Sequence, residues 1–326
     1  MNFFPPRLVH SAIALALAFG TGSALAQADY PNKPIKMVVG FSAGSISDTT
    51  ARLVADQIKD ELGQSIVVEN IPGAGATIAA GRVAKSPADG YTILFVAMGH
   101  AVAPALYSKL PYDTLKDFAG VATVANARVM LVTHPEAKFH NMAEFIAQAK
   151  ARPGEITYGS SGNGTFLHLI AESMAQDTGV RLMHVPFRGG AEAVNSVMAG
   201  TIDLAFCTVN TCMENVKSGK LRALGYIAPK RHPKAADIPT FAEQGLKFDV
   251  GSYNYILAPA GTPKPILDKL HAAINKAVTS KAFDERLQRM GLEPVPSASP
   301  QAVSDFVVKE VKFWEPLVKG LGLKIE

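Results

Sequence analysis

The sequence predicts an α/β chain folded as two lobes, and three observations carry that reading. From Ile35 onward, short β-branched apolar runs alternate with amphipathic segments at helical spacing, separated by Gly/Ser turns. Most of the apolar runs lack strict alternation, as central strands buried on both faces do. Once an export leader is set aside, roughly 300 residues remain, which suggests two cores rather than one.

The leader comes first in the chain. Arg7 precedes an apolar run from Ala12 to Phe19, and Ala24 and Ala26 flank Leu25 as an A-x-A cleavage signature, so residues 1–26 read as a signal peptide and the mature chain begins near Gln27. The run is shorter than the roughly 20 residues that span a bilayer. The expectation is a soluble, exported protein.

The strand candidates, in order, are Ile35 to Phe41, Ser65 to Glu69, Tyr91 to Ala97, Val129 to Thr133, Ile156 to Gly159, Leu182 to Pro186, Asp203 to Cys207, Leu221 to Ile227 and Tyr253 to Ala258. Between them, the first helix has Ser47 as a plausible N-cap, Asp48 in its first turn, Ala51, Ile58 and Leu62 on one face, and Gly63 at its end. The same logic marks Met142 to Ala151, Phe166 to Thr178, Ala191 to Ala199, Met213 to Ser218, Pro265 to Thr279, Lys281 to Met290 and Pro300 to Lys319. No Gly/Ser linker or solenoid repeat interrupts the pattern. The chain is therefore expected to cross between lobes inside packed structure, near Ala127 and again near Gly251, with residues 27–127 and 251–326 forming lobe 1 and 128–250 lobe 2. Such crossings are natural hinges.

Charge excludes one class of function. The net charge of +4 falls to +3 without Arg7, and no Lys/Arg cluster approaches a nucleic-acid patch. Cys207 and Cys212 are the only cysteines, with neither redox nor zinc spacing. They are either a disulfide of an oxidising compartment or two small semi-buried hydrophobes.

Three strand-to-helix turns combine glycine with hydroxyl or amide side chains: Phe41 to Asp48, Pro72 to Thr77, and Ser160 to Thr165. Glycine lets the backbone approach a ligand, and the following helix start presents unpaired N–H groups in a positive dipole field. Such turns suit an anion at the carboxyl ends of the strands. Any one of them alone is ordinary helix capping. None has phosphate-loop or dinucleotide spacing, and no G-x-S-x-G surrounds Ser161, so no catalysis, metal or cofactor is signalled.

Individual residues keep two readings. Asp48 either stabilises the helix dipole or meets a ligand ammonium or bridging water. His168, near the Asn163 loop, either donates to a ligand or is a packed or surface histidine. Asp203 either anchors loop amides or belongs to a water-bridged site. Tyr253 borders a cleft or fills the core.

Taken together, Tyr30 to Ile35, Val68-Glu69-Asn70 with Pro72 to Gly75, Asp89 to Thr92, Lys109 to Asp113, Tyr158 to Thr165 with His168, His184 to Pro186, Gly200 to Asp203, Gly219 to Leu224 and Leu257 to Pro263 resemble the Bug family, the solute receptors of tripartite tricarboxylate transporters. The resemblance spans the mature chain. It implies a type II-like periplasmic-binding-protein (Venus-flytrap) fold in the periplasm, without enzymatic activity, closing on a small carboxylate and handing it to the membrane permease subunits. By the same resemblance one ligand carboxylate is gripped through the first and third turns and through ordered water, an expectation that passes to Ser42, Ser45, Asp48, Ser161, Asn163, Thr165 and Asp203; Phe41, Gly44, Ser47, Ser160, Gly164 and His168 are further candidate ligand-binding residues of this chain. Ala76, Thr77 and Tyr253 join them.

This chain departs from the family pattern in the first two turns. Ser42, Ala43 and Ser45 stand where two prolines and a glycine are usual, Ala76-Thr77 replaces Gly-Asn, and Ile71 replaces an arginine. The resemblance therefore implies a carboxylate without singling one out: a di- or tricarboxylate, or an aromatic acid given Phe41, Phe166 and Tyr253. A monomer that samples closure and is trapped closed by ligand is the expected mechanism. The rivals are a sensor receptor for a signalling partner and a periplasmic hydrolase, the latter needing a Ser/Cys, His and Asp constellation.

Overall fold

The computed structural model describes residues 30–232, 235–248 and 250–325, so the signal peptide lies outside the described residues. Two sheets organise them. The first has the order β11-β4-β10-β3-β1-β2, built from β1 (Ile35–Val39), β2 (Ile66–Asn70), β3 (Thr92–Val96), β4 (Phe118–Ala127), β10 (Ser252–Pro259) and β11 (Leu292–Pro294). The second has the order β7-β6-β8-β5-β9, built from β5 (Val129–Thr133), β6 (Thr157–Ser160), β7 (Met183–Pro186), β8 (Leu204–Thr208) and β9 (Arg222–Tyr226).

The chain leaves the first sheet after Ala127 and re-enters it at Ser252. Near the crossing, Glu293 of β11 accepts from the Tyr226 hydroxyl of β9 at 2.7 Å and pairs with the buried Arg128 guanidinium at 3.4 Å. One carboxylate thus ties the two sheets.

Apolar periodicity decides which face each helix covers. Met37 and Val39 of β1 pack under α1 (Ile46–Leu62), α8 (Lys264–Val278) and α9 (Lys281–Arg289). Val38, between them, faces α2 (Thr77–Ala84), α3 (Gly99–Leu106) and α10 (Pro300–Gly320), as a period of two requires. In the second sheet, Val129 and Leu131 face α4 (Met142–Ala151) and α5 (Phe166–Thr178), while Met130 and Val132 face α6 (Gly190–Met198) and α7 (Val209–Lys217). One cluster runs through both halves, joining Leu106 and Trp314 to Tyr158 and Phe206.

Four elements add to those the sequence indicates: β4, β11, α2 and α3. The first helix starts two residues earlier than expected, with Ser45 rather than Ser47 as N-cap, its Oγ accepting from the Asp48 amide at 3.2 Å. Helix α7 begins at Val209, four residues before the expected Met213. Cys207 and Cys212 form a disulfide, both sulfurs buried, across the junction of β8 and α7.

Candidate functional site

Strand order creates a crevice before any side chain is considered. Neighbouring strands β1 and β3 send their helices α1 and α3 to opposite faces of the sheet, so the chain parts at their carboxyl ends. In the second sheet β6 and β8 do the same with α5 and α7. Ligands of open α/β sheets bind at such switch points.

The first turn closes on itself around Asp48. The Gly44 amide donates to its Oδ2 at 2.8 Å and the Asn70 side-chain amide to its Oδ1 at 2.8 Å, and the Arg52 guanidinium lies 3.0 Å away. Asn70 also donates to the Phe41 carbonyl at 3.0 Å, tying β2 to the turn. Burial alone raises the Asp48 carboxyl pKa, but the hydrogen bonds from Arg52, Gly44 and Asn70 outweigh it and hold it below the usual range. The carboxylate is thus fully engaged inside the turn, and the dipole-stabilising reading is the one realised. Among the described residues no intramolecular acceptor is placed for the amides of Ile46 and Ser47, and the side chains of Ser42, Ser45 and Ser47 are exposed or half-buried.

The second turn abuts the first. A Cβ on Gly40, at the end of β1, would lie 2.2 Å from the Ala76 Cβ, so only glycine admits this approach. Ala74 and Ala76 take positive φ, 44° and 75°, with Gly73 and Gly75 beside them. Thr77 donates to the Ala74 carbonyl at 2.8 Å and so locks this backbone rather than offering its hydroxyl. Gly75 in turn reaches the start of α3: its carbonyl would be 3.7 Å from a Cβ on Gly99.

The third turn stands on two histidines, His168 buried and His184 half-buried. Ser160, fully buried, shares a 2.6 Å hydrogen bond with His184 Nε2 and accepts from the Gly162 amide at 3.1 Å. His168 Nδ1 accepts from the Gly164 amide at 3.0 Å, and its ring stacks on His184 with centroids 4.0 Å apart. Ser161 donates to Thr165, which donates to the Gly162 carbonyl. His168 therefore supports the turn from below through Nδ1, which leaves the ring proton on Nε2. Burial lowers the His184 pKa to about 4, with His168 adding to the shift and Glu172 opposing it. Burial likewise lowers His168.

Both rings are neutral at physiological pH, and the sign of the pH effect follows. A lowered folded pKa means that the unfolded chain binds protons first, so this contribution to stability is complete above about pH 6.5 and is lost as pH falls toward 4. His184→Gln should flatten the fall in unfolding free energy across that window, measured by denaturant titration at several pH values. Superimposable profiles for variant and parent would refute the assignment.

Two candidates lie elsewhere. Asp203 sits at the amino end of β8, where its Oδ2 accepts from the Thr157 amide at 2.8 Å and hydroxyl at 2.7 Å. Turn three leaves from the carboxyl end of β6, on the order of 10 Å away at strand spacing, so Asp203 is an anchor between β6 and β8. Tyr253 packs on Phe306 and lines a cavity of about 390 Å³ with Ser173 and Phe313, between α5 and α10. It borders a seam between helices and not the turns.

Across the gap, a Cβ on Gly164 would be 3.8 Å from Leu106 at the end of α3. The first, second and third turns are therefore linked in space through Gly40/Ala76, Gly75/Gly99 and Leu106/Gly164. Two stretches at the switch points escape sequence reasoning: Ala97 to His100 after β3, and Thr208 to Asn210 after β8. Met98-Gly99 following an apolar run was the available signal for the first. For the second, and for His184 and Asn70, no local signal exists, because His184 and Asn70 take their roles from partners on other elements, His184 from Ser160 and Asn70 from Asp48 and Phe41.

The chain was compared with known proteins. The model of the tripartite tricarboxylate transporter family receptor matches residues 50–323. Protein BugT of Bordetella pertussis is 35% identical over 300 residues, covering 91% of this chain and 92% of BugT. Among solved structures, Rpa4515 of R. palustris with adipate is 32% identical, covers 91% of this chain and 100% of its own, and has a TM-score of 0.71. MatC of Rhodopseudomonas palustris with bound malate is 31% identical, with coverage of 89% and 100% and a TM-score of 0.67.

Proposed function

Because this chain belongs to the tripartite tricarboxylate transporter receptor family, we propose that it captures a small carboxylate between its two sheets and delivers it, in the periplasm, to the membrane subunits of such a transporter. The observation that carries this reading is the contact of the first and second turns at the β1/β3 switch point, with α3 running from the second turn at Gly99 to the third at Leu106 and Gly164, and with no intramolecular acceptor, among the described residues, for the helix-start amides of Ile46 and Ser47. Those amides and the positive end of the α1 dipole suit a carboxylate without a buried cation to hold it too long.

The lobes are taken as the two sheets with their helices, residues 30–127 with 252–325 and residues 128–251, working as a monomer. The relatives solved with adipate and malate support the ligand class. Ser160 and His184 form a hydroxyl–imidazole pair, but the serine is buried and already holds the Gly162 amide, which gives the pair a positioning role and favours a receptor over a hydrolase.

Thermal or chemical unfolding with malate, adipate, citrate and benzoate tests the reading. A ligand at 100 times its dissociation constant should add about 2.7 kcal/mol. A mature chain unmoved by all four, and by calorimetry with the same acids, would overturn it.

A further inference from the structure

Residues 289–293, which join α9 to β11 in lobe 1, meet lobe 2 at two places. One is Glu293, which holds Tyr226 and Arg128. The other is Asn210, the second residue of α7 at the β8/α7 switch point. Its side-chain amide donates to the Arg289 carbonyl at 3.0 Å, and a Cβ on Gly291 would lie 2.7 Å from its Cγ and 2.8 Å from its Nδ2. Gly291 also takes a φ of 75°, so glycine serves both the turn and the close approach.

This contact stands beside the outgoing crossing. Thr208, two residues before Asn210, pairs with Val129, and Leu292, one residue after Gly291, pairs with Ala127. Rotation of the lobes about residues 127–129 therefore has a short lever arm here, and a displacement of one atom's width becomes larger at the crevice mouth. The contact lies at the carboxyl end of β8, the side on which the turns gather, so crowding here parts the lobes.

Asn210 is exposed, and what fixes it is the loop that carries it. The Cys207–Cys212 disulfide closes that loop with Cα atoms 6.2 Å apart, the Thr208 and Thr211 hydroxyls share a 2.9 Å hydrogen bond, and Val209 is buried. A cross-link this short limits the conformations that the loop can sample.

We propose that Asn210, braced by the disulfide, is the seat on which lobe 1 rests beside the hinge, and that its fit against Gly291 and the Arg289 carbonyl sets the lobe angle and hence ligand affinity. Asn210 is a positioning residue, acting through the fraction of molecules whose lobes can close. The proposal rests on the receptor reading above and deepens it by naming what holds the lobes at their working angle.

Gly291→Ala, Asn210→Ala and the double variant test it on the mature chain. Calorimetry and stopped-flow dissociation use malate, adipate, citrate and benzoate. Electron–electron resonance without ligand uses spin labels at Asp60→Cys and Asn195→Cys, exposed sites on α1 and α6. Gly291→Ala should weaken whichever acid binds tightest by about tenfold or more, chiefly through faster dissociation, and lengthen the label distance. Asn210→Ala removes one hydrogen bond and should weaken binding about threefold to tenfold. In the double variant the atoms that obstruct the new methyl are gone, so affinity and label distance should match those of Asn210→Ala. Cys207→Ala/Cys212→Ala should bind as Asn210→Ala does, and affinity unchanged without the disulfide refutes the brace. Losses that multiply in the double variant refute the seat. So does a Gly291→Ala chain that melts lower yet binds and spaces its labels as the parent does, since the pair would then be structural only. If the parent binds none of the acids, the receptor reading fails on its own, and the label distances of the ligand-free variants still decide the seat.

Discussion

Gly40→Ala should destabilise the protein by about 3 kcal/mol and weaken ligand binding at least tenfold. The new methyl would sit 2.2 Å from the Ala76 Cβ and 2.8 Å from its Cα, and because the second contact is backbone, no rotamer change relieves it. Overpacking of this kind costs typically 1–3 kcal/mol, and the residue lies between two turns that must stay in register, which places the effect at the upper end. Ala76→Gly supplies the control. It removes the nearer clash and the positive-φ strain of Ala76, whose own relief is about 1 kcal/mol before the added freedom of the unfolded chain offsets part of it. In the double variant, at least half of the lost stability and most of the affinity should return, read by urea unfolding and calorimetry. Strict additivity of the two single changes would show that the turns do not meet as described.

Asp48→Ala should cost about 2–3 kcal/mol, since the Gly44 amide, the Asn70 amide and Arg52 lose a common acceptor in a buried place. Asp48→Asn should fare little better, because its amide would turn a donor toward donors. The folded carboxyl pKa is lowered, so its contribution is present above the ordinary carboxylate value near pH 4 and is lost only as pH falls through the lower folded value. Parent and variant should therefore differ by a constant amount from neutral pH down to about 4 and converge below it. The same substitution should weaken carboxylate binding about tenfold by loosening the amides of Ile46 and Ser47. Affinity unchanged in a folded Asp48→Ala chain would detach the turn from function.

How much of this was legible in the sequence depends on what each element shows locally. Helices α4 and α5 and strand β5 carry their own signals in apolar spacing and caps, and they lie where the pattern puts them. Strand β4 does not, because Ala119, Gly120, Ala122 and Ala125 dilute its β-branched character. Gly120 is small for a tertiary reason: a Cβ there would meet the Pro300 carbonyl at 2.5 Å and the Ser304 amide at 2.6 Å as α10 crosses. Helix α2 hides for a similar cause, with Gly81 pressed against Pro111, and α3 contains Pro104, which reads as a break.

In the site, composition marked the turns but not their internal wiring. Asp48, His168 and Thr77 look like ligand donors in sequence, and each is spent holding a loop. Asp203 opens β8 at its amino end, away from the carboxyl ends where ligands of open α/β sheets bind, so its strand position already favours the anchoring role. The hydroxyl-rich first turn follows the same rule at Ser45, whose oxygen caps α1 while its hydrogen remains available.

The disulfide has a consequence for how the molecule matures. With only Cys207 and Cys212 in the chain, oxidation admits one intrachain pairing, so no scrambled isomer exists for a proofreading enzyme to correct. The competing product is a bond between two molecules. Once β8 and α7 have closed over both sulfurs, that route is shut, and identical chains at high local concentration can oxidise without cross-linking.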